Sequence, residues 1–347
     1  MKLRRLLFPF AIIYDLVTRI RNFCFDKGIL KSTEFDIPVI SIGNLSMGGT
    51  GKTPHVEYLL TLLSPHFEIA TLSRGYGRST KGYLEVNKTS SADQSGDEPL
   101  QYKLKFPEVK VAVCENRVEG INQILKSGKA EVVILDDAYQ HRHVKPSLNI
   151  LLTVYGNLFT DDYIIPAGNL REAASGSNRA DIIIITKCPV DLADAEKNAL
   201  QGKVRLHKHQ QLFFSTFTYQ PIVALNNAEE VLPANYKNYH VLMLTGIADP
   251  EPMKIWLQKE FKSVTTLIFP DHHQFDEKDL NRIGEKFNNI ASPAIIVTTE
   301  KDFTRLSNRA LSFPLYILPV KVNFGFNSNE QFDQYILNHV RKNKTNG

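Results

Sequence analysis

The chain has 347 residues, 43% of them hydrophobic and 22% charged, with a formal net charge of +4. That balance excludes a disordered chain, gives enough length for two domains, and offers no ground for a nucleic-acid partner. Cys24, Cys114 and Cys188 are too scattered for a zinc pattern or a disulfide framework, which fits a reducing compartment.

In the first 27 residues, Leu3, Leu6, Leu7, Phe10, Ile13, Tyr14, Val17 and Ile20 recur at helical spacing and form one apolar stripe. Lys2, Arg4, Arg5, Arg19 and Arg21 surround it with positive charge. No small-residue cleavage site follows, and Asp15, Arg19 and Arg21 interrupt the run, so it reads neither as a signal peptide nor as a bilayer span. Two readings fit: a helix packed on its own domain, or a basic amphipathic helix lying in a membrane interface.

Residues 39–42 read as a buried strand. A loop follows with Gly43, Gly48, Gly49 and Gly51 and closes on Lys52 and Thr53; helical spacing begins at His55. Strand, glycine loop, Lys-Thr and helix is the order of a phosphate-binding loop. Backbone N–H groups turn toward phosphate, the helix N-terminus adds its positive end, Lys52 supplies a charge and the Thr53 hydroxyl a metal ligand. The usual first glycine is replaced by Ser46.

Further strands are expected at residues 68–72, 109–113, 132–137, 148–154 and 181–186, alternating with helical segments. The pattern is that of a doubly wound α/β core. Between them, Ser73-Arg-Gly-Tyr-Gly-Arg78 is a basic loop, residues 90–99 are polar and turn-rich, and the fourth strand ends in the acids Asp136 and Asp137. An acid at that strand end of a phosphate-loop fold reaches the magnesium shell. The rhythm changes near Leu212. Residues 213–219 read as a strand, then a second α/β unit has strands at 241–244, 263–269 and 294–297, and the tail beyond Gln331 reads as a helix with a frayed polar tip.

The expected fold is therefore α/β: a doubly wound P-loop NTPase core at residues 34–212, a smaller α/β domain at 213–347, and an N-terminal amphipathic helix within 1–33. Met47 stands where the partitioning ATPases carry a second lysine, and Thr186-Lys-Cys-Pro189 lacks the aspartate of a guanine reader. Small-molecule kinases using ATP remain the leading class. A kinase with a soluble acceptor and a nucleotide-gated binding protein of negligible turnover stay open.

Seven stretches taken together resemble one known family. They are Gly43-Asn-Leu-Ser-Met-Gly-Gly-Thr-Gly-Lys-Thr-Pro54, Ser73-Arg-Gly-Tyr-Gly-Arg78, Gly96-Asp-Glu-Pro99, Asp136-Asp-Ala-Tyr-Gln-His141, Pro166-Ala-Gly-Asn-Leu-Arg-Glu172, Asp271-His-His273 and Thr299-Glu-Lys-Asp302. In this order, over nearly the whole chain, they resemble the lipid A 4′-kinase family of Gram-negative bacteria. The resemblance implies ATP- and Mg2+-dependent phosphorylation of the 4′-hydroxyl of an acylated disaccharide lipid. It also implies two domains closing on a cleft, and it tilts the N-terminal helix toward a membrane surface, the cytoplasmic face of the inner membrane. No obligate protein partner is inferred.

By that resemblance, and by the charge-neutralising nature of phosphoryl transfer, roles fall to named residues. Ser46, Met47, Gly48, Gly49, Thr50, Gly51, Lys52, Thr53, Pro54 and His55 would hold the nucleotide, with Lys52 nearest the transferred group. Thr53, Asp136, Asp137, Glu98 and Gln140 are the metal candidates. Asp97 would take the acceptor's proton, oriented by His272 from the second domain. Arg74, Tyr76, Arg78, Arg117 and Arg171 would meet the substrate.

Overall fold

The computed structural model describes residues 3–224, 235–306, 313, 315–325 and 328–344. The expected charge of Lys2 and the polar tip beyond Lys344 lie outside those residues, as do the side chains of Leu3 and Arg5. A short 3-10 turn (Leu3–Leu7) leads into α1 (Phe8–Asp26). Pro9 sits in the first turn of α1, where its missing N–H costs no helical bond.

The larger unit is built from β1 (Val39–Asn44), α2 (Lys52–Leu63), β2 (Ile69–Ser73), β3 (Leu84–Glu85), α3 (Ala92–Ser95), α4 (Asp97–Lys105), β4 (Lys110–Val113), α5 (Arg117–Lys126), β5 (Val132–Asp136), β6 (Leu148–Val154), β7 (Ile182–Thr186), α6 (Asp194–Val204) and β8 (Gln211–Phe214). Its eight-stranded sheet runs β3-β4-β2-β5-β1-β6-β7-β8, parallel throughout except at the β3 edge. The central strands are apolar on both sides because helices cover both faces. Register sets Ile42 beside Asp136, so the glycine loop after β1 and the acids after β5 emerge together at one sheet edge. That edge is where such sheets bind ligands.

The chain then crosses through β9 (Thr216–Tyr219) into a second sheet. The smaller unit holds β10 (Val223–Ala224), β11 (His240–Thr245), α7 (Glu251–Glu260), β12 (Ser263–Ile268), α8 (Glu277–Asn288), β13 (Ala294–Thr299), α9 (Glu300–Leu306) and β14 (Leu315–Leu318), in strand order β10-β14-β13-β11-β12. Along β11, Val241 and Met243 pack toward α7 while Leu242 and Leu244 pack toward α8, the alternation a strand imposes. The chain returns through β15 (Val320–Asn323), which pairs antiparallel with β9, and ends in α10 (Asn329–Lys344).

Two expectations about organisation are corrected by the fold. The strand expected over residues 213–219 breaks at Ser215, and its halves join different sheets. The terminal helix does not belong to the smaller domain: Phe332, Ile336 and Val340 pack with Val56, Leu59 and Leu60 of α2 in the first core. The larger unit therefore includes both α1 and α10, and the smaller one is an insertion strapped by two strands.

α1 docks through its small and polar residues. Ala11 and Phe25 are buried, Tyr14 donates to the Arg171 carbonyl, and Asn22 donates to Glu172. Its large apolar residues face outward, with Phe10, Ile12 and Ile13 each 62–66% exposed and Leu16, Val17, Ile20 and Phe23 also exposed. Three of the cations around the stripe are exposed while making local bonds: Arg4 bonds Asn169, Arg21 the Gln140 carbonyl, and Arg19 pairs with Asp15. No helix among the described residues is long and apolar enough to cross a membrane.

Candidate active site

The glycine loop is shaped by backbone that only glycine adopts freely. Gly51 caps α2 at φ 86°, and a Cβ there would lie 2.4 Å from the Phe217 ring. Asn44, at the end of β1, donates to the Thr50 hydroxyl at 3.0 Å and accepts from Lys52 at 3.3 Å, fixing both ends of the loop. His55 is a correction. Its ring is buried behind the loop, bonding the Gly51 carbonyl and Ser215, so it braces the loop from inside rather than facing a nucleotide. Burial lowers its pKa to about 4, which keeps it neutral.

Beside the loop stand the two acids. Burial, and then the neighbouring charge of Asp137, push the Asp136 carboxyl up to about 7. Its Oδ2 accepts from the Tyr102 hydroxyl at 3.0 Å, while its buried Oδ1 has no hydrogen-bond partner. Asp137 sits at φ 48°, in the left-handed region that costs a non-glycine residue roughly 1 kcal/mol or more. Burial would raise its pKa, but Lys52 at 3.6 Å and Arg171 at 2.9 Å overcome that and lower it. Glu98 lies 3.6 Å from Lys301, close enough to Asp136 for its charge to be felt there. Gln140 donates to the Asn44 carbonyl and to Glu172, which ties it to the rim of the loop.

A buried carboxylate oxygen with no partner is costly unless something cationic meets it. Asp136 Oδ1, with the Thr53 hydroxyl at the start of α2, therefore suits a hard divalent cation. Among the described residues no group of three or more His, Cys, Asp and Glu side chains forms a cage.

Asp97 is not on a loop, as its turn-rich surroundings suggested. It is the first residue of α4, buried, with Pro99 in the same turn. The same helix carries Tyr102 to Asp136, so α4 links the two acidic centres. From the smaller unit, His272 Nδ1 reaches Asp97 Oδ2 at 3.0 Å and Arg305 Nη2 reaches the same oxygen at 2.5 Å. Burial would raise the Asp97 pKa; the hydrogen bonds from His272 and Arg305 outweigh it and lower it to about 2. Arg305 is wholly buried and is held in turn by Asp302, which also accepts from Thr245 and Thr299. His272 holds a φ of 60°, again strained for a non-glycine residue.

Sequence reasoning missed Arg305. The available signal was its position three residues after Asp302, one helical turn away. The substrate arginines fare unevenly. Arg74 and Tyr76 are exposed, and the Tyr76 ring centroid lies 5.6 Å from that of His272. The Arg78 side chain is 2% exposed and turned onto Glu115 and the Gly82 carbonyl, so it pins its own loop instead of lining a substrate path. Arg117 is also buried, donating to the Cys114 and Glu115 carbonyls. Burial lowers its pKa to about 10. It lines a cavity of about 530 Å³ together with Lys31, Thr33, Glu115, Asn116, His141 and His143.

The sequence model of a family described as tetraacyldisaccharide-1-P 4′-kinase matches residues 3–341. A tetraacyldisaccharide 4′-kinase from Flavobacterium johnsoniae is 48% identical over 98% of both chains. One from Bacteroides thetaiotaomicron is 45% identical, over 99% of this chain and 95% of its own. Among solved structures, LpxK from Aquifex aeolicus in complex with ATP superposes with a TM-score of 0.77 at 29% identity, over 97% of this chain and 99% of that one.

Proposed function

Since the chain belongs to the tetraacyldisaccharide-1-P 4′-kinase family, we propose that the cleft between its two units is where that reaction is carried out, with the roles given below. The enzyme is a kinase of lipid A biosynthesis that takes ATP as donor and the 4′-hydroxyl of a tetraacyldisaccharide 1-phosphate as acceptor. The observation that carries the assignment of roles is a shared edge. A phosphate loop and a buried carboxylate oxygen with no hydrogen-bond partner emerge at one sheet edge, and α4 ties them through Tyr102 to a second carboxylate clamped by the opposite unit.

Gly48 to Thr53 cradle the β- and γ-phosphates, and Lys52 sets its charge against them. A bound magnesium ion would supply neutralisation of the phosphate charge. Asp136 and Thr53 would hold it, with Glu98 and Gln140 beside them. Arg171, paired with Asp137, stands at the rim of the loop. His272 and Arg305 both occupy Asp97 Oδ2, which leaves Oδ1 to accept the proton of the 4′-hydroxyl. As the proton leaves, the acceptor oxygen's electron pair bonds to the γ-phosphorus, the bond to the bridging oxygen breaks, and ADP departs with those electrons. The cavity lined by Lys31 and Arg117 offers two cations to the anionic end of the substrate, while Tyr76 stands nearer the dyad. Transfer of radiolabel from γ-labelled ATP to a monophosphorylated acyl-disaccharide tests the reading. Label appearing only as free phosphate, with or without lipid, would overturn it.

The outward apolar face of α1 supports a peripheral seat on a membrane surface, which we take to be the cytoplasmic face of the inner membrane. Apolar burial leads membrane binding, at about 1.5–3 kcal/mol for each large side chain fully buried, and the exposed charges of Arg4 and Arg21 add attraction to anionic lipid. Ile12→Glu with Leu16→Glu is expected to release the protein from sedimenting vesicles while leaving ATP affinity unchanged. Raising the salt should release much less. Undiminished sedimentation of the double variant would place the anchor elsewhere.

A further inference from the structure

Lys301, the second residue of α9, has no part in the roles above. Its Nζ lies 3.1 Å from His272 Nε2, 3.3 Å from Asp271 Oδ1 and 3.6 Å from Glu98 Oε1. An ammonium group has donors and no lone pair. In the contact with Lys301, His272 Nε2 must therefore be the acceptor. The ring's proton then sits on Nδ1, the atom 3.0 Å from Asp97 Oδ2. Which ring nitrogen of a histidine carries the proton is set by the hydrogen bond made at the other.

We propose that Lys301 is a positioning residue that fixes the Nδ1–H tautomer of His272, so that the imidazole donates to Asp97 Oδ2 and leaves Oδ1 as the proton acceptor. This role rests on those given to Asp97 and His272 above. In the opposite tautomer, Nδ1 would present a lone pair to a carboxylate oxygen. His272 would then repel the base it should hold, and the weak 3.5 Å approach of Arg305 Nη2 to Nδ1 would become a competing bond. Asp271 keeps the lysine in place: it accepts from Lys301 and from the His272 backbone N–H, which joins the strained turn at His272 to α9. Lys301 and Arg305 sit four residues apart on α9, one acting on the histidine and the other directly on the carboxylate.

The test is ¹⁵N NMR of the full-length protein labelled at histidine, with the His272 signals identified by their loss in His272→Gln. Wild type is expected to show a protonated Nδ1 and an unprotonated Nε2. Lys301→Met should shift the ring toward the other tautomer, and Lys301→Arg should restore it. In the kinase assay Lys301→Met should lower kcat roughly ten- to a hundredfold, the range for losing a partner that orients a functional histidine. The KM for ATP should hold. On a His272→Ala background the same change should add less than about twofold, because the two residues act on one function. An Nε2–H tautomer in wild type, a tautomer indifferent to Lys301→Met, or penalties that multiply would each overturn the proposal. The side chain is 22% exposed, so its loss opens no core cavity. A wild-type protein that binds ATP without phosphorylating the disaccharide would instead sink the kinase reading, with the tautomer still measurable.

Discussion

Asp97→Asn is expected to lower kcat by roughly 10²- to 10⁴-fold, the usual range for lost acid–base help, with ATP affinity close to wild type. The amide keeps the shape of the side chain and removes its capacity to take a proton. A carboxylate held at a pKa of about 2 is a weak base, and that is compatible with phosphoryl transfer. In a loose transition state the acceptor oxygen commits its electrons late, and its proton becomes acidic only then. Such a base stays ionised and ready through the neutral range. His272→Ala should cost less alone and little more when added to Asp97→Asn. Single-turnover rates and nucleotide binding, measured side by side, check the claim. Weakened ATP binding with kcat intact would move Asp97 into the nucleotide shell.

Arg305→Met is expected to cost about 3–5 kcal/mol of stability, because removing one member of a buried ion pair strands the other charge. Two carboxylates are affected, Asp97 in one unit and Asp302 in the other, and the arginine between them has no exposed side-chain surface. Replacing a buried ion pair by apolar groups is often harmless, but replacing only its cation is not. Arg305→Lys should recover part of the loss, since an ammonium neutralises the charge without the two-pronged geometry. Urea unfolding midpoints of the three proteins provide the measurement. A loss below about 1 kcal/mol, the level of an exposed pair, would mean that water reaches the junction and screens it.

What was legible in the sequence was local. The glycine loop, Lys52, Thr53 and the acids after β5 announce themselves because each signal lies within one strand–turn–helix segment. The start of α4 falls in the stretch 90–99 that reads as turn-rich, because Ser95-Gly-Asp-Glu-Pro99 is full of turn formers. Yet acids in a first turn, with proline beside them, are also how a helix begins. Arg78 looked like a substrate contact, and only the fold brings Glu115 against it, 37 residues on. Arg305 was invisible for the same reason at greater range, since its partner is 208 residues away. Periodicity exposed the apolar stripe of α1, but not its direction. Asn22 and Phe25 decide which side meets the body, and they do so through Arg142, His143 and Glu172, far along the chain.

The return of α10 to the first core has a consequence for how the protein is made. Phe332, Ile336 and Val340 complete the apolar layer around α2, and Asp333 accepts from the Tyr58 hydroxyl at 2.7 Å. Domains of a growing chain tend to fold in the order in which they emerge. Here the nucleotide-holding unit emerges first, yet its core lacks a wall until the last helix is released. The smaller unit, contiguous in sequence, can close while its host is still open. A nascent chain halted before α10 would carry every residue of the phosphate loop on a helix with one bare flank, so competence to grip ATP waits on the release of α10.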